Sequence, residues 1–159
     1  MSLVLDQQHA PAIRAWIAAR MPLPCDLGKA TTIGVALGTR LIAGFAFTNF
    51  NKTNIEISMA ADSPRWARPA NIYSVLAYPF VILKCDRVTC LVQPKNKRAR
   101  KLLEGVGFQC EGNLRCWWGE GKGDALIYGY LKRDFLKSRW CKGASHGEKG
   151  NDSRAAARA

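Results

Sequence analysis

Apolar and polar positions divide the first sixty residues into one helix and three strands. Between Gln7 and Arg20, the residues Ile13, Trp16, Ile17 and Met21 recur at intervals of three and four and share one helical face. Met21-Pro22-Leu23-Pro24 stops that helix, and Pro11 falls in its first turn, where a missing amide hydrogen costs little. Thr32–Leu37 and Arg40–Phe47 are apolar runs flanking Gly38-Thr39. A two-residue loop that opens with glycine predicts a type II′ hairpin. After a polar turn over Thr48–Lys52, Thr53–Ala60 alternates, with Ile55, Ile57 and Met59 on one face and Glu56 and Ser58 on the other.

Asp62–Pro69 is an irregular connector holding Ser63-Pro64 and Arg68-Pro69. Ala70–Lys84 is apolar nearly all round and predicts a buried helix, kinked where Pro79 leaves the Val75 carbonyl without a donor. A strand over Arg87–Gln93 and a turn at Pro94-Lys95-Asn96 follow. The helix Lys97–Gly105 comes next, with Ala99, Leu102, Leu103 and Val106 at helical spacing and Gly105 or Gly107 ending it. Phe108–Trp118 and Ala125–Leu131 read as the last strands, joined by the glycine-rich loop Gly119–Asp124. That loop has the composition of a phosphate cradle but not its strand-to-helix setting, so it reads as a turn. Antiparallel strands followed by a crossover helix predict an α+β fold, an α/β/α sandwich around a mixed, mainly antiparallel sheet.

The chain has 159 residues, 48% of them hydrophobic, which suits one domain with a packed core. The expected division is a domain over residues 1–138 and a basic, disordered tail over 139–159, where Trp140 is nearly the sole large apolar residue. Asp6 and His9 come early, with no basic region before them and no long apolar run after them, which points to the cytosol rather than secretion or a membrane. The six cysteines, Cys25, Cys85, Cys90, Cys110, Cys116 and Cys141, form no CxxC pair, and with two histidines in the chain they read as buried free thiols rather than metal ligands. The net charge of +12 attracts phosphates, whether on a cofactor, a nucleic acid or an acidic protein. There is no Walker loop, no HExxH, and no histidine placed for a nucleophilic triad.

The stretch Asn96-Lys-Arg-Ala-Arg-Lys-Leu-Leu-Glu-Gly-Val-Gly-Phe108, followed by Glu111-Gly112, resembles the closing motif of the GNAT superfamily of N-acetyltransferases. The resemblance is closest to the Rim-type subgroup, which acylates protein N-termini, and to similar phage-encoded proteins, and the matching element order spans about residues 1 to 135. The resemblance implies two central parallel strands, Thr53–Ala60 and Arg87–Gln93, that splay to admit the pantetheine arm of acetyl-CoA. It implies an acetyl transfer to an amine on a protein N-terminus, a lysine or a small molecule.

It also nominates site residues. Ala60, Ala61, Asp62, Arg65, Trp66, Ala67 and Arg68 fall where the family cradles the pyrophosphate. Here the connector has no glycine and Pro69 removes a donor, so Arg65 and Arg68 stand as charge-assisted phosphate ligands or as solvated loop charges. Asn96, with Arg98 and Ala99, sits at the mouth of the splay, as a ligand for the amide-rich arm, as a helix N-cap, or as both. Lys95, Lys97, Arg98, Arg100 and Lys101 form a basic run suited to a phosphate or to solvent.

Glu56 occupies the strand position of the family's general base, or is an ordinary strand carboxylate. The family's tyrosine acid is replaced by Leu103, leaving Tyr128 or Tyr130 as substitutes, with alternation taken to admit one of them to the cleft. A thiolate leaving group with a pKa of about 8–9 also departs without a dedicated acid. Trp117-Trp118 is a candidate substrate wall, one of the pair expected in the core. The alternative function is a GNAT-fold binding module, monomer or homodimer, that holds nucleic acid or a host protein on its basic surface.

Overall fold

The computed structural model describes residues 2–4, 9–22 and 26–144. One seven-stranded sheet, in the order β1-β2-β3-β4-β5-β7-β6, organises them. Its strands are β1 (Ser2–Val4), β2 (Thr31–Leu37), β3 (Arg40–Thr48), β4 (Asn54–Ala61), β5 (Arg87–Val92), β6 (Gln109–Leu114) and β7 (Ala125–Leu131). Every neighbouring pair is antiparallel except β4 with β5. The strand β1 is absent from the sequence reading, because three residues are too few to show a period.

Helix α1 (Ala10–Ala18) starts later than the sequence suggested, and Gln7 and Gln8 lie outside the described residues. It covers one face of β2–β4, where Ile13 and Ile17 pack with Leu27, Ala30, Ala46 and Ala60. Small residues in the strands allow this close approach. A Cβ on Gly44 would stand 2.8 Å from Ile17 Cγ1, and one on Gly34 would stand 3.1 Å from Ile13 Cδ1. The large residues Ile33, Val35, Phe45 and Phe47 alternate with these and fill the main core on the opposite face. In the β2–β3 hairpin, Gly38 has φ 63° and Thr39 is not left-handed, as a type II′ turn requires.

The opposite face is covered by α2 (Pro69–Ala77), α3 (Lys97–Val106), α4 (Lys132–Lys137) and α5 (Arg139–Ala144). The expected kink at Pro79 takes a specific form. The chain widens into a π-helical turn over Tyr78–Ile82, closed by Leu83 N–H to the Tyr78 carbonyl at 3.0 Å. This turn brings Phe80 onto Phe135 and Tyr130. The sequence expectation of a disordered tail from residue 139 is wrong for its first residues. Trp140 is buried, and its indole N–H donates to the Val106 carbonyl at 2.6 Å, capping the last turn of α3. Residues 145–159 lie outside the described residues. Among the described cysteines, Cys85 and Cys90 are buried, whereas Cys110 and Cys116 are exposed, so the expectation of uniformly buried thiols is corrected.

On the face of β5–β7 away from the core, Arg87 makes a two-pronged ion pair with Glu111, at 2.9 and 2.6 Å, directly over Gly129. The Arg87 guanidinium holds the Glu111 carboxyl below its ordinary range. A depressed carboxylate stabilises the fold above its unfolded value and stops doing so as the pH falls through the folded value. Native protein should therefore be more stable than Glu111→Gln near pH 7, with the gap narrowing as the pH falls below the ordinary carboxylate range, as urea unfolding at a series of pH values will measure. Gly44→Ala should lower stability by about 1–3 kcal/mol, because α1 must move off the sheet, and the same urea assay reports it.

Candidate active site

The parallel pairing of β4 with β5 is short. Asn54, Ile55 and Glu56 pair with Arg87, Val88 and Thr89, and the ladder stops there. Both strands continue. β4 stays bound to β3 as far as Ala61, and β5 stays bound to β7 as far as Val92. Each is held on its outer side while the inner sides part. Backbone groups in that gap have no ladder partner across it, which is an arrangement that accepts an extended, amide-bearing ligand. The gap opens into a cavity of about 840 Å³ lined by Ser58, Met59, Ala60 and Ala61 of β4 and by Cys90, Leu91, Val92 and Gln93 of β5.

The sequence candidates fall around this cavity in different ways. Ala60, Ala61, Asp62, Trp66 and Ala67 line it, as do Asn96, Arg98 and Ala99. Asn96 is also the N-cap of α3, its side-chain oxygen accepting from Ala99 N–H at 3.0 Å, so one residue serves the helix and faces the cavity. Gly107, at φ 125°, ends that helix. Arg65 and Arg68 are exposed and are not among the lining residues, so their side chains are not gathered at the cavity. Trp66 is buried edge-on against Phe45 and forms part of the cavity wall. Asp62 is engaged by Arg20, at 2.8 and 3.0 Å, whose hydrogen bonds hold its carboxyl below the ordinary range. Arg20 in turn stacks on Trp16, 3.7 Å from the ring centroid, and so ties the end of α1 to the end of β4.

The connector spends much of its backbone on itself. The N–H of Asp62 donates to the Ile42 carbonyl, that of Arg65 to Ser63 Oγ, that of Ala67 to the Pro64 carbonyl and that of Arg68 to the Trp66 carbonyl. Pro69 occupies the first position of α2, where its absent donor is lost at no cost.

Glu56 lies at the last rung of the β4–β5 ladder, half-buried and lining the cavity. Asn49, in a left-handed conformation at φ 52°, donates its amide N–H to Glu56 Oε2 at 3.0 Å. Tyr128 is a correction. It is fully buried away from the cavity, donating its hydroxyl to Glu104 Oε1 at 2.9 Å. Tyr130 is buried too, packed on Phe80, Phe108 and Phe135. Residues two apart on a strand share a face, so the idea that alternation would admit one of them to the cleft was mistaken; both point into the core under the helices. Trp117 and Trp118 follow the end of β6, and both line the cavity. Strand alternation does not apply there, and neither of them is core. Arg20, Asn49 and Gln93 also line the cavity without a sequence signal, because only the sheet brings a helix end, a turn and a strand end together. Among the described residues, no group of three or more His, Cys, Asp or Glu is placed to hold a metal.

No family model and no curated protein matches the chain. Solved structures do. A mutant form of spermidine N-acetyltransferase from Vibrio cholerae aligns over 86% of this chain and 98% of that one, with 18% identity and a TM-score of 0.67. The ribosomal-protein-alanine acetyltransferase of Vibrio fischeri aligns over 84% and 93%, with 15% identity and a TM-score of 0.63. A GNAT-family acetyltransferase from Bacillus anthracis aligns over 64% and 66%, with 22% identity and a TM-score of 0.54. The fold is that of the GNAT acetyltransferases. Within that GNAT fold the neighbours are of more than one kind, and they do not single out the Rim-type subgroup that the closing motif resembles.

The cavity wall also sets thiol reactivity. Burial, and then the charge of Glu56, push the Cys90 thiol up to about 12. Such a thiol is almost wholly protonated near pH 8, and the thiolate is the reactive form. A maleimide applied to native protein should label Cys110 and Cys116 within minutes while Cys90 and Cys85 react only after unfolding, as peptide mass spectrometry will show.

Proposed function

We propose that the chain is an acyl-CoA-dependent N-acetyltransferase acting on an amine by direct transfer. The observation that carries this reading is the gap past Glu56 and Thr89, where two parallel strands lose their ladder and open onto a cavity of about 840 Å³. The likeness of the fold to acetyltransferases of amines supports it.

The residues divide the work. The unpaired inner edges of β4 and β5, with Asn96 at the mouth, would hold the amide-rich arm of acetyl-CoA. Arg98 and Lys101 on α3 would take its phosphates. Glu56, held by Asn49, would accept the proton of the attacking ammonium, directly or through one water. The amine nitrogen then bonds to the acetyl carbon, the carbon–sulfur bond breaks, and the thiolate leaves and takes a proton from solvent. With Tyr128 and Tyr130 in the core and Leu103 lining the cavity, no tyrosine acid is assigned. The acceptor classes this covers are a protein N-terminus, a lysine or a small amine.

Acetyl-CoA should raise the melting temperature in a saturable manner, and no shift at millimolar ligand counts against the reading. Glu56→Gln should lower kcat about 100-fold or more with the KM for acetyl-CoA little changed, the range expected for a general base. Asn96→Ala should lose about 1 kcal/mol of stability as a cap and should weaken acetyl-CoA binding beyond that; an unchanged Kd in the folded variant removes Asn96 from the site.

A second reading rests on a specific observation, the connector whose amides bond internally, together with the net charge of +12. In it the fold serves as a binding module for nucleic acid. Binding of RNA or DNA that falls steeply with salt and ignores acetyl-CoA would favour it.

A further inference from the structure

The connection between β6 and β7 is a constructed turn. Asp124 organises it from one position. Its Oδ2 accepts from Asn113 Nδ2 at 2.8 Å and its Oδ1 accepts from the Cys116 N–H at 2.9 Å, while its backbone carbonyl accepts from the Trp118 indole N–H at 3.1 Å. Cys116 is bent into the left-handed region at φ 53°, and the Gly119 N–H returns to its carbonyl at 2.9 Å. Residues Trp117 and Trp118 are thereby fixed between two anchored points. The register of β7 on β5, with Leu126 opposite Val92, sets this turn beyond the open end of β5.

Trp117 remains 50% exposed although it lines the same cavity as Glu56. An indole presented at that position gains from an apolar surface laid against it, and aromatic side chains, with two torsions, lose little entropy when they are covered. The Glu56 carboxylate on the wall of the same cavity suits it to a cation. We infer that Trp117 and Trp118, latched by Asp124, form the acceptor wall and select primary amines whose nitrogen is carried on an apolar body, in preference to small polar amines. This rests on the acetyl-transfer reading of the cavity. Trp117 and Trp118 would touch the acceptor; Asp124 is a positioning residue that acts through them.

The test is calorimetric binding of phenethylamine and of ethanolamine, two primary amines that differ in the body attached to nitrogen, with acetyl-CoA titrated in parallel. Native protein should prefer phenethylamine by about tenfold or more, the scale of one covered aromatic face. Trp117→Ala should reduce that preference to less than about threefold and leave the Kd for acetyl-CoA unchanged. Asp124→Ala should do the same, whereas Asp124→Asn, which still offers an oxygen to the Cys116 N–H, should retain part of the preference. Circular dichroism confirms that each variant is folded, and the half-exposed Trp117 makes its variant the safer of the two. Equal binding of the two amines, binding of neither, or a native preference in Trp117→Ala overturns the inference. A native preference in folded Asp124→Ala overturns the latch. Absent acetyl-CoA binding with the amine preference intact overturns the transfer reading instead.

Discussion

The parallel ladder between β4 and β5 lasts three residues on each strand, and the geometry of the cavity follows from where it stops. Had it continued to Ala61 and Val92, the inner edges of both strands would be consumed by each other. Instead β3 and β7 hold the two strands on their outer sides to the end, so the sheet behaves as two half-sheets joined by a short hinge of pairing. Glu56 sits at the last rung, which places a carboxylate at the apex of the opening. Cys90 follows the paired Thr89 and forms part of the apolar wall that continues below into Phe45, Ile57 and Leu103.

Helix packing maintains this shape from both faces. α1 sits close over β2–β4 because the strands present glycine and alanine there, and Arg20 at its end fastens to Asp62 at the end of β4. On the other face, α3 begins at the mouth of the gap with Asn96 and ends where Trp140 of α5 caps the Val106 carbonyl. The cavity thus carries Arg98 and Lys101 along α3, and Asp26 and Glu56 elsewhere on its wall. In the proposed reaction, a ligand with anionic phosphates and a cationic acceptor would both find complementary charge in one space.

Features decided locally were legible in the sequence. Asn96 and Gly107 bracket α3, Gly38 sets the hairpin, and the splayed pair was placed on the right two strands from the element order and the closing motif. Features decided by distant partners were not. Trp140 lies in a polar stretch and is fixed by a carbonyl 34 residues earlier, so composition alone pointed to disorder. Tyr128 carries a plausible proton donor, but its strand face is set by the core, and its hydroxyl serves Glu104 and Arg100. Arg65 and Arg68 lie in the connector after β4, whose short 3₁₀ turn, Pro64–Trp66, turns Trp66 inward and leaves both arginines in solvent.

Hydrogen exchange with and without acetyl-CoA tests the account most directly, since the central claim concerns backbone edges. If the arm of the ligand lies between the strands, peptides covering Ile57–Ala61 and Cys90–Gln93 should exchange more slowly on binding, with β2 and β6 unchanged. Protection confined to other segments, or none at saturating ligand, would contradict it.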